Sequence, residues 1–161
     1  MIHIRRAGAM DAPQMAELLN AIIAKGGTTA FTNTVTRDTM LEWMGKSAEG
    51  SAWHVAEDDN GDILGYQDFL PKDALPEDAC DIATFTRMGQ TGLGIGSKLF
   101  EATKAAARDL GYTWINATIR ADNTGGLAYY QSRGFEDYAS VKDVPLENGQ
   151  IVDRIKKRYD L

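Results

Sequence analysis

The stretch QTGLGIG, residues 90–96, sets three glycines at alternate positions in front of the run SKLFEATKAAARDLG. Glycine lets a backbone come close to a ligand and adopt positive φ, while a helix that follows offers unpaired N–H groups and the positive end of its dipole. A pyrophosphate suits that description. Two common phosphate motifs fail here. G-x-G-x-x-G is broken because the sixth place is Ser97 counted from Gly92 and Leu99 counted from Gly94, and the P-loop order Gly-Lys-Ser/Thr is replaced by Gly96-Ser97-Lys98. Taken alone, the triplet favours a tight strand-to-helix turn in which the glycines serve packing. The flanking sequence changes that balance.

Immediately upstream, DACDIATFT reads as a strand over residues 79–86 with Asp78 leading it, running straight into the glycines. Downstream, helical spacing predicts burial of Leu99, Phe100, Thr103, Ala106, Ala107 and Leu110, with a left-handed stop at Gly111. YTWINATIR is a further strand, GLAYYQSR a short helix ended by Gly134, and FEDYASV and QIVDRIKKRY two closing strands around Asn148-Gly149. Towards the N-terminus, IHIRR (residues 2–6) alternates like a strand, and Asp11 is expected to cap a helix with Pro13 in its first turn. Met15, Leu18, Leu19, Ile22 and Ile23 share one face of that helix. A second helix after Thr36 is expected to bury Met40, Leu41, Trp43 and Met44. SAWHVAEDDNGDILGYQDFL then gives two strands joined at Asn60-Gly61, a dipeptide favoured where both turn residues take positive φ. The pattern is mixed α/β.

With 161 residues, 43% of them apolar, the chain can bury one sizeable core, so a single domain over residues 1–161 is expected. A net charge of -6 argues against a general nucleic-acid binder. No stretch approaches the roughly 18 consecutive apolar residues of a membrane span, and MIHIRRAGAMD lacks the apolar core of a secretory signal. A cytoplasmic protein is expected. The single cysteine, Cys80, excludes an intrachain disulfide, and with only His3 and His54 beside it no metal site is expected. Cys80 reads as a buried small hydrophobe and His54 as a strand residue.

At this point the sequence resembles the GNAT superfamily of N-acetyltransferases, whose acetyl-CoA pyrophosphate loop follows Q/R-x-x-G-x-G/A between a strand and a helix. Here it corresponds to Thr91-Gly92-Leu93-Gly94-Ile95-Gly96, followed by Ser97, with Thr91 in place of Gln or Arg and Gln90 adjacent. A second shared feature is Asn123, Tyr130, Gly134 and Phe135, at the spacing of the family's N-x-x-A-x-x-x-Y-x-x-x-G-F. INATIRADNTGGLAYYQSRGF is similar to the corresponding block of the phosphinothricin and methionine sulfoximine acetyltransferases. The likeness is strongest from about Asp81 to Tyr138.

The resemblance implies a mixed, mostly antiparallel sheet of about six or seven strands flanked by about four helices. It implies acetyl-CoA as co-substrate and a small-molecule primary amine as acceptor, and it is compatible with a homodimer. The pantetheine arm would pair with the backbone of Thr86, Arg87 and Met88 in a splay between that strand and YTWINATI, with Asn123 hydrogen bonding to it; by itself Asn123 in ADNTG reads as a cap. Tyr130 would be the acid that protonates the departing thiolate. Asp81 stands where the phosphinothricin-type enzymes carry a glutamate thought to act as base, and would bind or deprotonate the acceptor ammonium. A backbone amide near Met88 would steady the developing oxyanion, and Phe31 would line the acceptor pocket. Arg87, Arg120 and Arg133 are candidates for an acceptor carboxylate, and Arg133 or Lys98 for the cofactor's ribose phosphate. Competing readings keep the fold but change the acceptor to a polyamine, an antibiotic or a protein N-terminus, or make the chain a CoA-binding sensor without catalysis.

Overall fold

The computed structural model of the protein describes residues 1–46, 48–90 and 93–161. In chain order the elements are β1 (His3–Arg6), α1 (Ala12–Lys25), α2 (Arg37–Gly45), β2 (Ala52–Glu57), β3 (Ile63–Leu70), β4 (Ala79–Thr86), α3 (Ile95–Asp109), β5 (Trp114–Arg120), α4 (Thr124–Ser132), β6 (Glu136–Pro145) and β7 (Ile151–Asp160). The strands form one seven-stranded sheet in the order β1-β2-β3-β4-β5-β7-β6. Every neighbouring pair is antiparallel except β4 with β5. Among the described residues no helix is long and apolar enough to cross a membrane.

Helices cover both faces, which is why β2 and β3 are buried along nearly their whole length. On one face Phe69, Cys80, Ile82 and Ile115 pack with Phe100 of α3 and Tyr130 of α4. On the other, Trp53, Val55 and Tyr66 meet Met15, Leu18 and Leu19 of α1 and Met40 of α2. Because successive strand residues point to opposite faces, each strand contributes to both layers at once.

Several local expectations are corrected. Helix α3 begins at Ile95, capped by Gly94 in the left-handed region at φ 74°. Leu110 falls at its C-cap and is exposed rather than buried, while Gly111 takes the expected positive φ. Of the predicted α2 core, only Met40 is fully buried; Leu41, Trp43 and Met44 are half-buried against the same cluster. Neither hairpin uses a turn with two positive φ angles. Gly61 alone has positive φ, and Asp58 Oδ1 organises the loop by accepting from the backbone N–H groups of Asn60 at 2.9 Å and Asp62 at 3.0 Å. Asn148 does the same for Gln150 in the last hairpin. Asp11 precedes α1 but does not cap it: its carboxylate accepts from Gly8 N–H and from the Arg5 guanidinium, which holds its pKa below the ordinary carboxylate value.

The feature that positions the site is the parallel pair. β4 and β5 are in register over only three residues, Ala79–Asp81 against Trp114–Asn116. Beyond Asp81, β4 stays with β3 as far as Thr86, while β5 stays with β7 as far as Arg120. The two strands diverge, leaving the β4 edge from Ile82 onward, among the described residues, without a strand partner on that side.

Candidate active site

The polar side chains gathered at this divergence come from four elements. Thr84 on β4 and Tyr130 on α4 share a 2.8 Å hydrogen bond between hydroxyls. Gln67 on β3, fully buried, donates through Nε2 to Thr84 Oγ1 at 2.9 Å and to Tyr129 Oη at 3.1 Å. Its Oε1 accepts from Thr103 of α3. Tyr129 in turn donates to the Gly96 carbonyl at 2.7 Å. The buried amide is thus satisfied on both ends, as a polar group in a dry core must be.

The adjacent tyrosines divide their work. Tyr130 is 7% exposed and packs by its edge on Tyr129 and Phe135, with centroids 4.9 and 5.1 Å away. Burial pushes its phenol far above the ordinary tyrosine value, the Thr84 bond offsets part of this, and the charges of Asp81 and Asp68 add to it. It keeps its proton at neutral pH. Tyr129 instead locks α4 onto the start of α3. A Cβ on Gly96 would lie 2.6 Å from Tyr129 Cε1, so the third glycine of the loop is needed for helix packing.

Around that loop, Thr91 and Gly92 lie outside the described residues. Leu93 is exposed, and Ile95 is buried beside Leu64 and Leu99. The first-turn N–H groups of α3 belong to Ile95, Gly96 and Ser97, whereas Lys98 N–H already bonds Gly94. Arg133 reaches Ser97 through one guanidinium nitrogen, and its buried Nε has no partner. N–H groups without a partner among the described residues, together with a guanidinium, at a helix N-terminus make this end of the splay fit for an anion. Thr86 ends β4; Arg87 N–H pairs with Leu64 O at 2.7 Å, and Met88, half exposed, enters a turn with Gly89 at φ 84°.

Other candidates sit differently from expectation. Asn123 is the N-cap of α4: Oδ1 accepts from Gly126 N–H at 2.9 Å and Nδ2 donates to Thr28 O at 3.0 Å. Both ends of its amide are engaged, so the capping role is the one the geometry assigns. The Arg87 side chain turns to Ile63 O and Glu17. Arg120 is buried, clamped by Asp122 and tied to Thr29 O, so it braces the loop between α1 and α2 and is closed to an acceptor. Cys80 is buried, its thiol pushed up to about 12 by burial and by Asp81.

On the α1/α2 face, Asp81 accepts from Asn116 Nδ2 at 2.7 Å and pairs with Lys72 Nζ at 3.0 Å. Asn116 also accepts from Tyr138. Phe31, 41% exposed, stacks on Trp43 at 5.1 Å and lies 6.4 Å from Phe85. Phe85 packs on Tyr66, and Tyr66 on Trp53. An aromatic wall therefore runs across this face with Phe31 at its open side.

Gln67, Thr84, Lys72, Asn116 and Asp68 were not singled out from sequence. A signal existed for two of them. Gln67 and Asp68 are consecutive polar residues inside the apolar run ILGYQDFL, and in a strand covered on both faces such a pair must put one polar group into each layer.

Comparisons with known proteins agree with this architecture. The chain is 27% identical over 161 residues, covering 98% of its length and 94% of the relative's, to YwnH of Bacillus subtilis (strain 168), provisionally named a phosphinothricin acetyltransferase. It is 24% identical over 152 residues to MnaT of Escherichia coli (strain K12), named an L-amino acid N-acyltransferase, covering 93% of this chain and 88% of that one. Among solved structures, a GNAT phosphinothricin acetyltransferase from Sinorhizobium meliloti in complex with AcCoA superposes with a TM-score of 0.85 at 20% identity, over 99% of this chain and 88% of that one. The sheet is mixed and mostly antiparallel with four helices, as in that fold. The profile of the acetyltransferase (GNAT) family matches residues 17–135, from within α1 through the glycine loop to Phe135, and the chain belongs to that family.

Proposed function

We propose that the protein is an acetyl-CoA-dependent N-acetyltransferase that passes the acetyl group directly to the primary amine of a small acceptor, an amino acid or a close analogue such as phosphinothricin or methionine sulfoximine. The observation that carries the reading is the divergence of β4 from β5 after Asp81 with the protonated, buried Tyr130 beside it. The names of the B. subtilis and E. coli relatives support the acceptor class.

Acetyl-CoA supplies an activated thioester and a good leaving group. The free edge of β4 towards Thr86, with Arg87 and Met88 after it, gives backbone groups for an extended arm to pair with. The N–H groups of Ile95, Gly96 and Ser97 and the Arg133 guanidinium offer donors for its phosphates. Gly92, Leu93 and Gly94 would complete that cradle by backbone, with Thr91 leading it. Tyr130 delivers a proton to the departing sulfur. Its bond to Thr84 suits this role: because Gln67 already donates to Thr84, the Thr84 hydroxyl can donate to Tyr130 Oη and leave the phenolic proton for the slot. No thiol nucleophile is required, and Cys80 is inert by burial.

The acceptor enters from the α1/α2 face, where Phe31 and the aromatic wall bound an apolar space and Asp81 and Lys72 bring charge of both signs. An α-amine suits it, since it titrates near ~8 and is more readily neutral than a lysine amine near ~10.4. The test is free-thiol release from acetyl-CoA with single amino acids, phosphinothricin, methionine sulfoximine, polyamines and peptides. Saturable turnover confined to the first three is expected. Turnover only on polyamines or peptides overturns the acceptor class, and binding of acetyl-CoA with no turnover on any amine overturns the enzyme reading in favour of a sensor.

A further inference from the structure

Asp68 is 6% exposed and, among the described residues, its carboxylate makes no side-chain hydrogen bond and no ion pair, yet its oxygens are not among the polar atoms sealed from solvent without a partner. A carboxyl so largely buried and so poorly partnered is costly for a core to hold. Its position is well defined. In the β2–β3–β4 register Asp68 stands directly between Trp53 and Ala83, while Asp81 stands opposite Leu70, two residues along. Residues so related share a face, so Asp68 and Asp81 belong to the same layer, the one covered by α1 and α2.

Two neighbours on that layer support a built site. Trp53, opposite Asp68, has a buried indole N–H without a partner, yet the two groups do not bond to each other. Tyr66, two residues before Asp68 on β3, feels its charge and has its phenol pushed up by burial. Asp81, by contrast, is already occupied by Lys72 and Asn116. Burial, and secondarily the Asp81 charge, hold Asp68 well above the ordinary carboxyl value, with Lys72 opposing them. A cation delivered into this layer would offset the Asp68 charge, and the ring faces of Trp53 and Tyr66 favour one as well; the Trp53 N–H, a donor only, is left for an acceptor oxygen of the same ligand.

We infer that Asp68 is the residue that receives the ammonium group of the acceptor, while Asp81, fixed by Lys72 and Asn116, forms the neighbouring wall of the pocket. The inference rests on the acetyltransferase reading and names the group that recognises its second substrate. It requires an acceptor that arrives protonated and releases one proton to water before its nitrogen attacks the thioester, and it makes Asp68 a binding residue whose cost to the free protein is met by the ligand.

The experiment uses the full chain and its two variants Asp68→Asn and Asp68→Ser, with steady-state kinetics on an amino acid that the wild type turns over and thermal unfolding without ligands. The expected result is a KM for the acceptor raised about 10- to 100-fold, the loss of one charge-assisted hydrogen bond. The KM for acetyl-CoA should stay within about twofold and the melting temperature should hold or rise, since a buried unpaired carboxyl is removed. An acceptor KM unchanged in both variants overturns the assignment, as does a fall in melting temperature with both KM values rising together, or loss of the fold in both. Failure of the wild type to turn over any amine is a separate outcome: it overturns the acetyltransferase reading, and this inference with it.

Discussion

Replacing Tyr130 by phenylalanine removes one oxygen from the centre of the site and little else. The ring keeps its edge contacts with Tyr129 and Phe135, and the half-buried Thr84 keeps the bond from Gln67 while its own hydroxyl proton loses its acceptor. The lost Thr84–Tyr130 bond should cost about 0.5–1.5 kcal/mol of stability. The kinetic effect should be larger. A positioned general acid contributes about 10²- to 10⁴-fold, or roughly 3–5 kcal/mol of barrier, and the other phenol of the cluster, Tyr129, already spends its proton on the Gly96 carbonyl. Thiol release at saturating acceptor should therefore fall by at least about a hundredfold, while acetyl-CoA affinity, measured by calorimetry, stays nearly constant. Because burial raises the folded phenol's pKa, wild-type activity should show no loss from tyrosine ionisation as pH rises through the range where a free phenol titrates, near ~10. A turnover number within about threefold of wild type would refute the assignment of the acid.

Two further perturbations test the scaffold. Gly96→Ala puts a Cβ 2.6 Å from Tyr129 Cε1 and should lower stability by about 1–3 kcal/mol, as overpacking does, read as a lower urea midpoint. An unchanged midpoint would show that Tyr129 is not pinned there. His54 is buried with Nδ1 unpartnered, and burial lowers its pKa from 6.5 to about 4, with the Arg6 charge adding to the effect. Between those values the unfolded chain binds a proton that the folded one refuses, so stability is lost as pH falls from 6.5 to 4, by up to about 3 kcal/mol. His54→Gln should flatten that part of the stability curve, and equal slopes in the two proteins would contradict the buried, neutral imidazole.

The sequence was most legible where local chemistry decides. Gly111 and Gly134 end their helices with positive φ as expected, and Thr36 caps α2 by accepting from Thr39 N–H. Periodicity located every strand of the sheet. The turn at Asn60-Gly61 was misread because the Asp58 side chain, not the dipeptide, sets its geometry. The site was legible only in part, since it is made by non-local register. Tyr130 announces itself by its distance from Asn123 and Gly134, but its partners Thr84 and Gln67 lie on strands far away in sequence. Asn123 shows the converse: a motif position whose amide the fold spends on a helix cap and the Thr28 carbonyl. Arg120 likewise reads from sequence as a candidate for an acceptor carboxylate, and only the fold reveals Asp122 and Thr29 around it.

The central claim is that the opening between β4 and β5 holds acetyl-CoA with its reacting end beside Tyr130. A crystal structure with acetyl-CoA tests it most directly. The account predicts an extended arm pairing with the backbone between Ile82 and Met88, phosphates at the N–H groups of Gly94 to Ser97, and the thioester sulfur within hydrogen-bond reach of Tyr130 Oη. A cofactor bound with its sulfur away from Tyr130, or a β4 edge left unpaired beyond Asp81, would contradict it.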